Sequence, residues 1–245
     1  MNRRSYLRVL GSAGLGTLAG CLDAVPTIGE DGRTALSPPE APRGDPIHPT
    51  HGEEFPAFSL PDPIDGDELS LSGLKGERAF CMTFVYTSCV DACGTLVRLL
   101  QLIQADALER GYGDDLALLA MTFDPETDDA EALGEYAERF EVDLDAGGFH
   151  FLRPESNDQA RSLMNRRFGV PVASDDGGDV REGGGGHRGS DDGDHDHGGG
   201  HPLHYYMLFV VNDRGIVERS YPNVVDGREE TRPAAIIEDV RRVVR

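Results

Sequence analysis

Two segments of the chain are apolar at almost every position. Arg78–Tyr86 reads Arg-Ala-Phe-Cys-Met-Thr-Phe-Val-Tyr, and Leu116–Phe123 reads Leu-Ala-Leu-Leu-Ala-Met-Thr-Phe. Short runs without polar alternation predict strands buried on both faces of a sheet. Each is followed by a helical pattern. Over Ala92–Arg110 the apolar residues Leu96, Leu99, Leu100, Ile103 and Ala107 form one stripe, with Gly111 and Gly113 as the stop. A second helix is expected near Asp129–Phe140. Phe149–Leu152 predicts a short strand, and Asn157–Phe168 a helix ending at Gly169 and Pro171. Later, Tyr205–Val211 and Ile216–Ser220 predict two strands joined by Asn212-Asp213-Arg214-Gly215, a hairpin signal, and Arg232–Val244 a closing helix. Strands and helices alternate, then a hairpin and a helix follow. The layout is α/β with a mixed central sheet flanked by helices, and no internal repeat is evident.

Three stretches lie outside this pattern. The chain opens Met1-Asn2-Arg3-Arg4-Ser5-Tyr6-Leu7-Arg8 and runs weakly apolar from Val9 to Ala19. Eleven residues are too few for a bilayer, which needs about 20. A basic start and a short apolar run read as a signal segment, and the adjacent arginines resemble a twin-arginine export signal. Leu18-Ala19-Gly20-Cys21 matches a lipobox, with Cys21 as the lipidated residue. Residues 1–21 are thus expected to be a leader and anchor, placing the mature chain outside the cytoplasmic membrane, where dithiols can be oxidised. Residues 22–54, with Pro26, Pro38, Pro39, Pro42, Pro46 and Pro49, read as a semi-extended tether in which His48 and His51 are solvated. The domain is expected over 55–245, interrupted at Ala173–Pro202 by an insert with 11 glycines, eight acids, two arginines and four histidines.

Charge narrows the partners. The chain has 245 residues, with 44 Asp+Glu against 23 Lys+Arg and a formal charge of −21. Nucleic acid and anionic membrane surfaces call for a basic face, so neither fits as a partner. Lys75 is the only lysine. An acidic, lysine-poor surface suits concentrated salt, where a Debye length of about 3 Å at 1 M mutes self-repulsion. Four cysteines are too few to staple a chain of this length.

The candidate chemistry sits at one turn. The first buried strand runs into Tyr86-Thr87-Ser88-Cys89-Val90-Asp91-Ala92-Cys93-Gly94, where the first long helix begins. Cysteines at i and i+4 on a first helical turn share a face, with Cβ atoms about 5–6 Å apart, and can close a disulfide or chelate one ion. Unpaired amides and the helix dipole favour thiolate there. The pair therefore suits thiol–disulfide exchange and soft-metal binding. Asp91, between the cysteines, is expected to act through the helix dipole rather than in catalysis.

The element order is that of a thioredoxin-like domain, and Phe84-Val85-Tyr86-Thr87-Ser88-Cys89-Val90-Asp91-Ala92-Cys93 resembles the signature of the SCO/SenC copper chaperones. Thr122-Phe123-Asp124-Pro125-Glu126-Thr127-Asp128 resembles that family's segment after the second core strand, ending in Asp-Pro-x-x-Asp. His204, eleven residues before Gly215, matches the family's metal-binding histidine. With the acidic surface and lipobox, the resemblance is to the haloarchaeal lipoprotein type. It implies Cys89, Cys93 and His204 as copper ligands, Cu(I) or Cu(II). Two thiolates and an imidazole are a soft set that accepts Cu(I). It also implies a lipid-anchored protein on the extracytoplasmic face, delivering copper to the copper-binding subunit of a cytochrome c oxidase. The alternative is a thiol–disulfide oxidoreductase, with Cys89 and Cys93 catalytic, that reduces the cysteines of the oxidase copper site. Val90 and Gly94 stand where the family usually carries proline, which points to a looser loop. His201 competes with His204 as third ligand, and His204 is preferred because it opens a strand.

The insert has two readings. His187, His195, His197 and His201, interleaved with Asp191, Asp192, Asp194 and Asp196, can gather Cu(II), Ni(II) or Zn(II), or form a salt-hydrated loop. A metal-sequestering protein and a thioredoxin-like peroxidase are weaker alternatives. The peroxidase lacks an arginine in the helix-start motif, the nearest downstream being Arg98. Cys81, mid-strand, is expected as a core thiol, and His150 as a hydrogen-bonded structural histidine. Met82, Met121, Met164 and Met207 are expected in the core.

Overall fold

The computed structural model describes residues 32–39, 46–89, 93–172 and 206–244. A five-stranded sheet forms the centre. The two apolar runs are β3 (Ala79–Val85) and β4 (Leu116–Thr122), buried at every position. They pair in parallel, Ala79 opposite Leu116 and Val85 opposite Thr122. β5 (Phe149–Leu152) extends the parallel half, while β6 (Leu208–Val211) and β7 (Val217–Tyr221) add an antiparallel hairpin on the other side. The order β5-β4-β3-β6-β7 is the expected mixed sheet, with β3 at its centre.

Burial explains the helices. α2 (Cys93–Arg110) buries Leu96, Val97, Leu99, Leu100, Ile103 and Ala107 against β3, β4 and the last helix, α5 (Pro233–Val243). α3 (Ala130–Arg139) is capped by Asp129, whose side chain accepts the Ala132 N–H. The helix expected over 157–168 divides into α4 (Asn157–Ser162) and a wider π-type turn, Leu163–Phe168. On one face of β3, Phe80 and Phe84 meet a layer of aromatic rings. Phe55 lies 5.2 Å from Phe80, 5.3 Å from Phe209 and 5.5 Å from Phe168, centroid to centroid. Met82, Met121, Met164 and Met207 are all buried, as expected.

Two elements had no signal in the pattern. A short hairpin, β1 (Ser59–Pro61) and β2 (Glu68–Ser70), precedes a single helical turn, α1 (Leu71–Leu74). Strands this short carry too few alternating positions to be read.

The proline-rich segment, where described, lies against the domain. Glu218, fully buried on β7, accepts the Ala35 N–H at 2.8 Å and the Leu36 N–H at 2.9 Å, while Asn212 Nδ2 donates to it at 2.7 Å. Leu36 joins the core. His51, expected to be solvated, meets the Leu36 carbonyl at 2.8 Å, and the His48 ring packs edge-on to Phe209 at 6.0 Å. Average composition concealed this, because one apolar anchor and one buried carboxylate suffice to dock an otherwise polar segment. Gly169 permits the crossing of residues 47–48. Its φ is +64°, and a Cβ there would stand 2.2 Å from the Ile47 carbonyl oxygen.

Candidate metal centre

β3 delivers its chain to the carboxyl end of the parallel strands, where α/β sheets commonly hold their sites. Beyond Val85, Tyr86–Cys89 form a turn with the Cys89 N–H 3.3 Å from the Tyr86 carbonyl. α2 begins at Cys93. Cys93 is fully buried and Cys89 half-buried at the core's edge. Cys81, Cys89 and Cys93 form no disulfide among the described residues. The two site sulfurs are within hydrogen-bond reach of each other. Residues 90–92, including Val90 and Asp91, lie outside the described residues.

Burial reverses one expectation. The helix start was expected to favour thiolate, yet the Cys93 thiol is pushed well above its ordinary value. Burial is the largest cause, followed by the hydrogen bond and charge of Cys89; the Tyr86 backbone amide opposes them. Removing the sulfur from water disfavours its charged form. Tyr86 is likewise raised, by burial and then by its side-chain hydrogen bond with Cys89. Cys81, inside β3, is pushed up to about 12 by burial alone, as suits a core thiol.

The structure adds a group not chosen from sequence, although the Asp-Pro-x-x-Asp stretch pointed at it. Asp128 is fully buried, and its carboxylate accepts the Thr87 N–H at 3.1 and 3.2 Å, the Thr87 hydroxyl at 2.5 Å and the Thr122 hydroxyl at 2.5 Å. Burial raises its pKa, with the three hydrogen bonds opposing. Arg153 holds the same loop from outside: Nε donates to the Pro125 and Asp128 carbonyls at 3.1 and 2.9 Å, and Nη2 to Pro125 at 2.6 Å. The turn bearing Cys89 is thereby fixed to the end of β4. Tyr136, on α3, is buried beside the thiols, and its hydroxyl has no hydrogen-bond partner among the described residues.

Gly94 has a structural reason. A Cβ there would lie 2.5 Å from Cζ of Phe140, so the ring just beyond α3 occupies the space a side chain would need. Contact with Phe140, rather than looseness, accounts for glycine at this position.

Cys21, His187, His195, His197, His201 and His204 lie outside the described residues. Next to the last of these, the chain entering β6 runs antiparallel to β3, with Thr83 opposite Leu208 and the Thr83 hydroxyl donating to the Met207 carbonyl at 2.7 Å. Tyr206 lies near enough to Tyr86 to raise its pKa slightly by charge. Among the described residues, no third His, Cys, Asp or Glu ligand group joins the two sulfurs. His150 is hydrogen-bonded as expected, its Nδ1 3.1 Å from Asp62 Oδ2.

The SCO1/SenC family model matches residues 50–245. No protein of curated function matches the chain in sequence. Several solved structures share the fold. A SCO1/SenC family lipoprotein from Bacillus anthracis str. Ames is 18% identical with a TM-score of 0.59, covering 83% of this chain and 100% of its own. BsSco, described as a Sco-family cytochrome c oxidase assembly protein with a disulfide switch, is 20% identical with a TM-score of 0.56, over 82% and 96%. Arabidopsis thaliana ScoI with copper bound is 17% identical with a TM-score of 0.52, over 77% and 99%.

Proposed function

Because the chain belongs to the SCO1/SenC family, we propose that it is a copper metallochaperone, anchored to the membrane through lipid on Cys21, that carries one copper ion on Cys89, Cys93 and His204. The observation that carries this reading is the pair of thiols, within hydrogen-bond reach of each other, at the carboxyl end of β3. A third ligand suits the limb that enters β6: Tyr206 lies near Tyr86, which is hydrogen-bonded to Cys89, and His204 stands two residues before Tyr206. Two sulfurs and one imidazole make a soft, low-coordinate set that favours Cu(I) and leaves room for a partner's ligand during transfer. A Cu(II) state on the same ligands would link delivery to redox poise.

The client in this reading is the copper-binding subunit of a cytochrome c oxidase, in keeping with the oxidase-assembly role of BsSco. The lipid tether accords with the Bacillus anthracis relative, which is a lipoprotein. Among the described residues no helix is long and apolar enough to cross a membrane. The anchor would place the domain on the extracytoplasmic face.

A second reading has its own observation. Contact between the Cys89 and Cys93 sulfurs also suits a dithiol reductase, and burial of Cys93 leaves Cys89 as the sulfur a partner disulfide can reach. Mixing the copper-loaded protein with the reduced, copper-free oxidase subunit separates the two. The chaperone predicts transfer of copper and growth of the subunit's copper absorption. If no copper moves, and the reduced, copper-free protein instead removes the disulfide of the oxidised subunit in a parallel mixture, the reductase replaces the chaperone.

A further inference from the structure

A second cluster of metal-binding side chains lies at the opposite edge of the sheet from β7. Asp62 follows β1, Asp65 sits in the β1–β2 turn, and His150 projects from β5. Their ligand atoms all lie within 4.8 Å of one another. His150 Nδ1 is 3.1 Å from Asp62 Oδ2 and 3.4 Å from Asp65 Oδ2. Bonds of about 2.0–2.2 Å to a tetrahedral or octahedral ion put neighbouring ligand atoms about 3.0–3.5 Å apart, so the two His150–carboxylate spacings suit a coordination shell.

The ligands are held by groups outside the cluster. Asp62 is 3% exposed, and its other oxygen, Oδ1, accepts the Ile64 N–H at 3.0 Å. Its backbone N–H reaches the Asp67 carbonyl at 2.8 Å, closing the turn. His150 is fixed by strand pairing opposite Leu119, and the Arg153 N–H ties the end of β5 to the Pro61 carbonyl at 2.9 Å. Asp65, with its side chain 49% exposed, opens the cluster to solvent. The carboxylates and imidazole thus arrive from two elements whose approach is set independently, the usual sign of a preformed site.

We propose that Asp62, Asp65 and His150 bind a divalent ion of the zinc class, separate from the cysteine centre. Two carboxylates and one imidazole, without sulfur, favour Zn(II) and similar borderline ions and disfavour Cu(I). Binding breaks the Nδ1–H···Asp62 hydrogen bond, the neutral ring keeping its one proton on Nε2 by exchange through solvent, and forms three bonds, to Asp62 Oδ2, Asp65 Oδ2 and His150 Nδ1. Water fills the remaining positions. His150 is level with Met82 through Leu119, about 13 Å along the strand direction from Tyr86 and two strands across, so no ligand is shared with the cysteines. Bound there, the ion would pin the β1–β2 hairpin to the sheet edge. The inference does not rest on the copper reading.

The test uses the full chain with Cys89→Ser and Cys93→Ser, titrated with zinc sulfate. Calorimetry should count one zinc fewer after His150→Gln, and Asp65→Asn should weaken the same site at least tenfold. Imidazole nitrogen spectra of the unsubstituted chain give a readout that no variant can confound. Zinc should move the His150 Nδ1 resonance into the metal-bound range. Equal zinc counts with and without His150, or a His150 resonance indifferent to saturating zinc, overturns the proposal and leaves the cluster as a hydrogen-bonded latch.

Discussion

Asp128 grips Thr87 by two groups at once: the Thr87 amide lies 3.1 and 3.2 Å from the carboxylate oxygens, and its hydroxyl 2.5 Å from Oδ1. Because Thr87 is two residues before Cys89, this contact sets where the first cysteine stands relative to β4. The carboxylate is fully buried, so its partners have no water to turn to. Asp128→Ala should cost about 2–3 kcal/mol in denaturant unfolding, the penalty of stranding buried donors. Asp128→Asn isolates the titration. Burial raises the folded carboxyl above its ordinary 3.8, so the folded state holds this proton more tightly than the unfolded state. Stability relative to Asp128→Asn should therefore fall as pH rises from about 3.8 through the folded value, then level off. A difference that grows with pH in that window contradicts the burial argument.

Phe140 occupies the space above Gly94, and its Cζ stands 2.5 Å from where a Cβ would be. Gly94→Ala is expected to cost about 1–3 kcal/mol through overpacking, even though alanine is the better helix former. The double variant Gly94→Ala/Phe140→Leu should recover part of the loss. An alanine that raises the melting temperature would show that the ring moves aside freely.

Exposure ranks the three described thiols. Cys89 is half-buried, while Cys81 and Cys93 are fully buried and their thiols held well above the ordinary range. In the reduced apo protein iodoacetamide should label Cys89 at least tenfold faster than Cys93, and Cys81 only on unfolding. Mass mapping of a time course reads this directly. Faster labelling of Cys93 would mean that the helix start, not burial, governs its reactivity.

Leu36 and Glu218 make the docking of the amino-terminal segment testable. Leu36→Ala removes a nearly fully buried side chain and should cost about 2–3 kcal/mol. Glu218→Ala leaves the Ala35 and Leu36 amides without their carboxylate. Either change should release residues 32–39 to fast amide exchange while β3 and β4 stay protected. Unchanged exchange in both variants would mean the segment is held by something else.

How legible these features were in the sequence depended on the scale of each. β3 and β4 were clear because a doubly buried strand is apolar at nearly every position, and α2 because its stripe, Leu96 to Ala107, spans about three turns. The cysteine pair was clear from its place between the two. Asp128 was visible only as part of a motif: an aspartate reads the same on paper whether solvated or buried beneath two threonines. Glu218 was hidden for the same reason, and Leu36 because one apolar residue among prolines carries no period. The Gly94–Phe140 contact joins residues 46 apart in sequence, a separation that local pattern does not encode. The Cys93 thiol shows the converse error, since the local rule for helix starts was sound but burial outweighed it.

The central claim concerns one ion on three ligands, and a Cu(I) titration of the reduced protein against a chromophoric chelator tests it most directly. The account predicts one tightly held Cu(I) per chain in the unsubstituted protein. Affinity should drop at least tenfold in each of Cys89→Ser, Cys93→Ser and His204→Ala, with His201→Ala behaving as the parent. Undiminished one-to-one binding in Cys89→Ser and His204→Ala would contradict it.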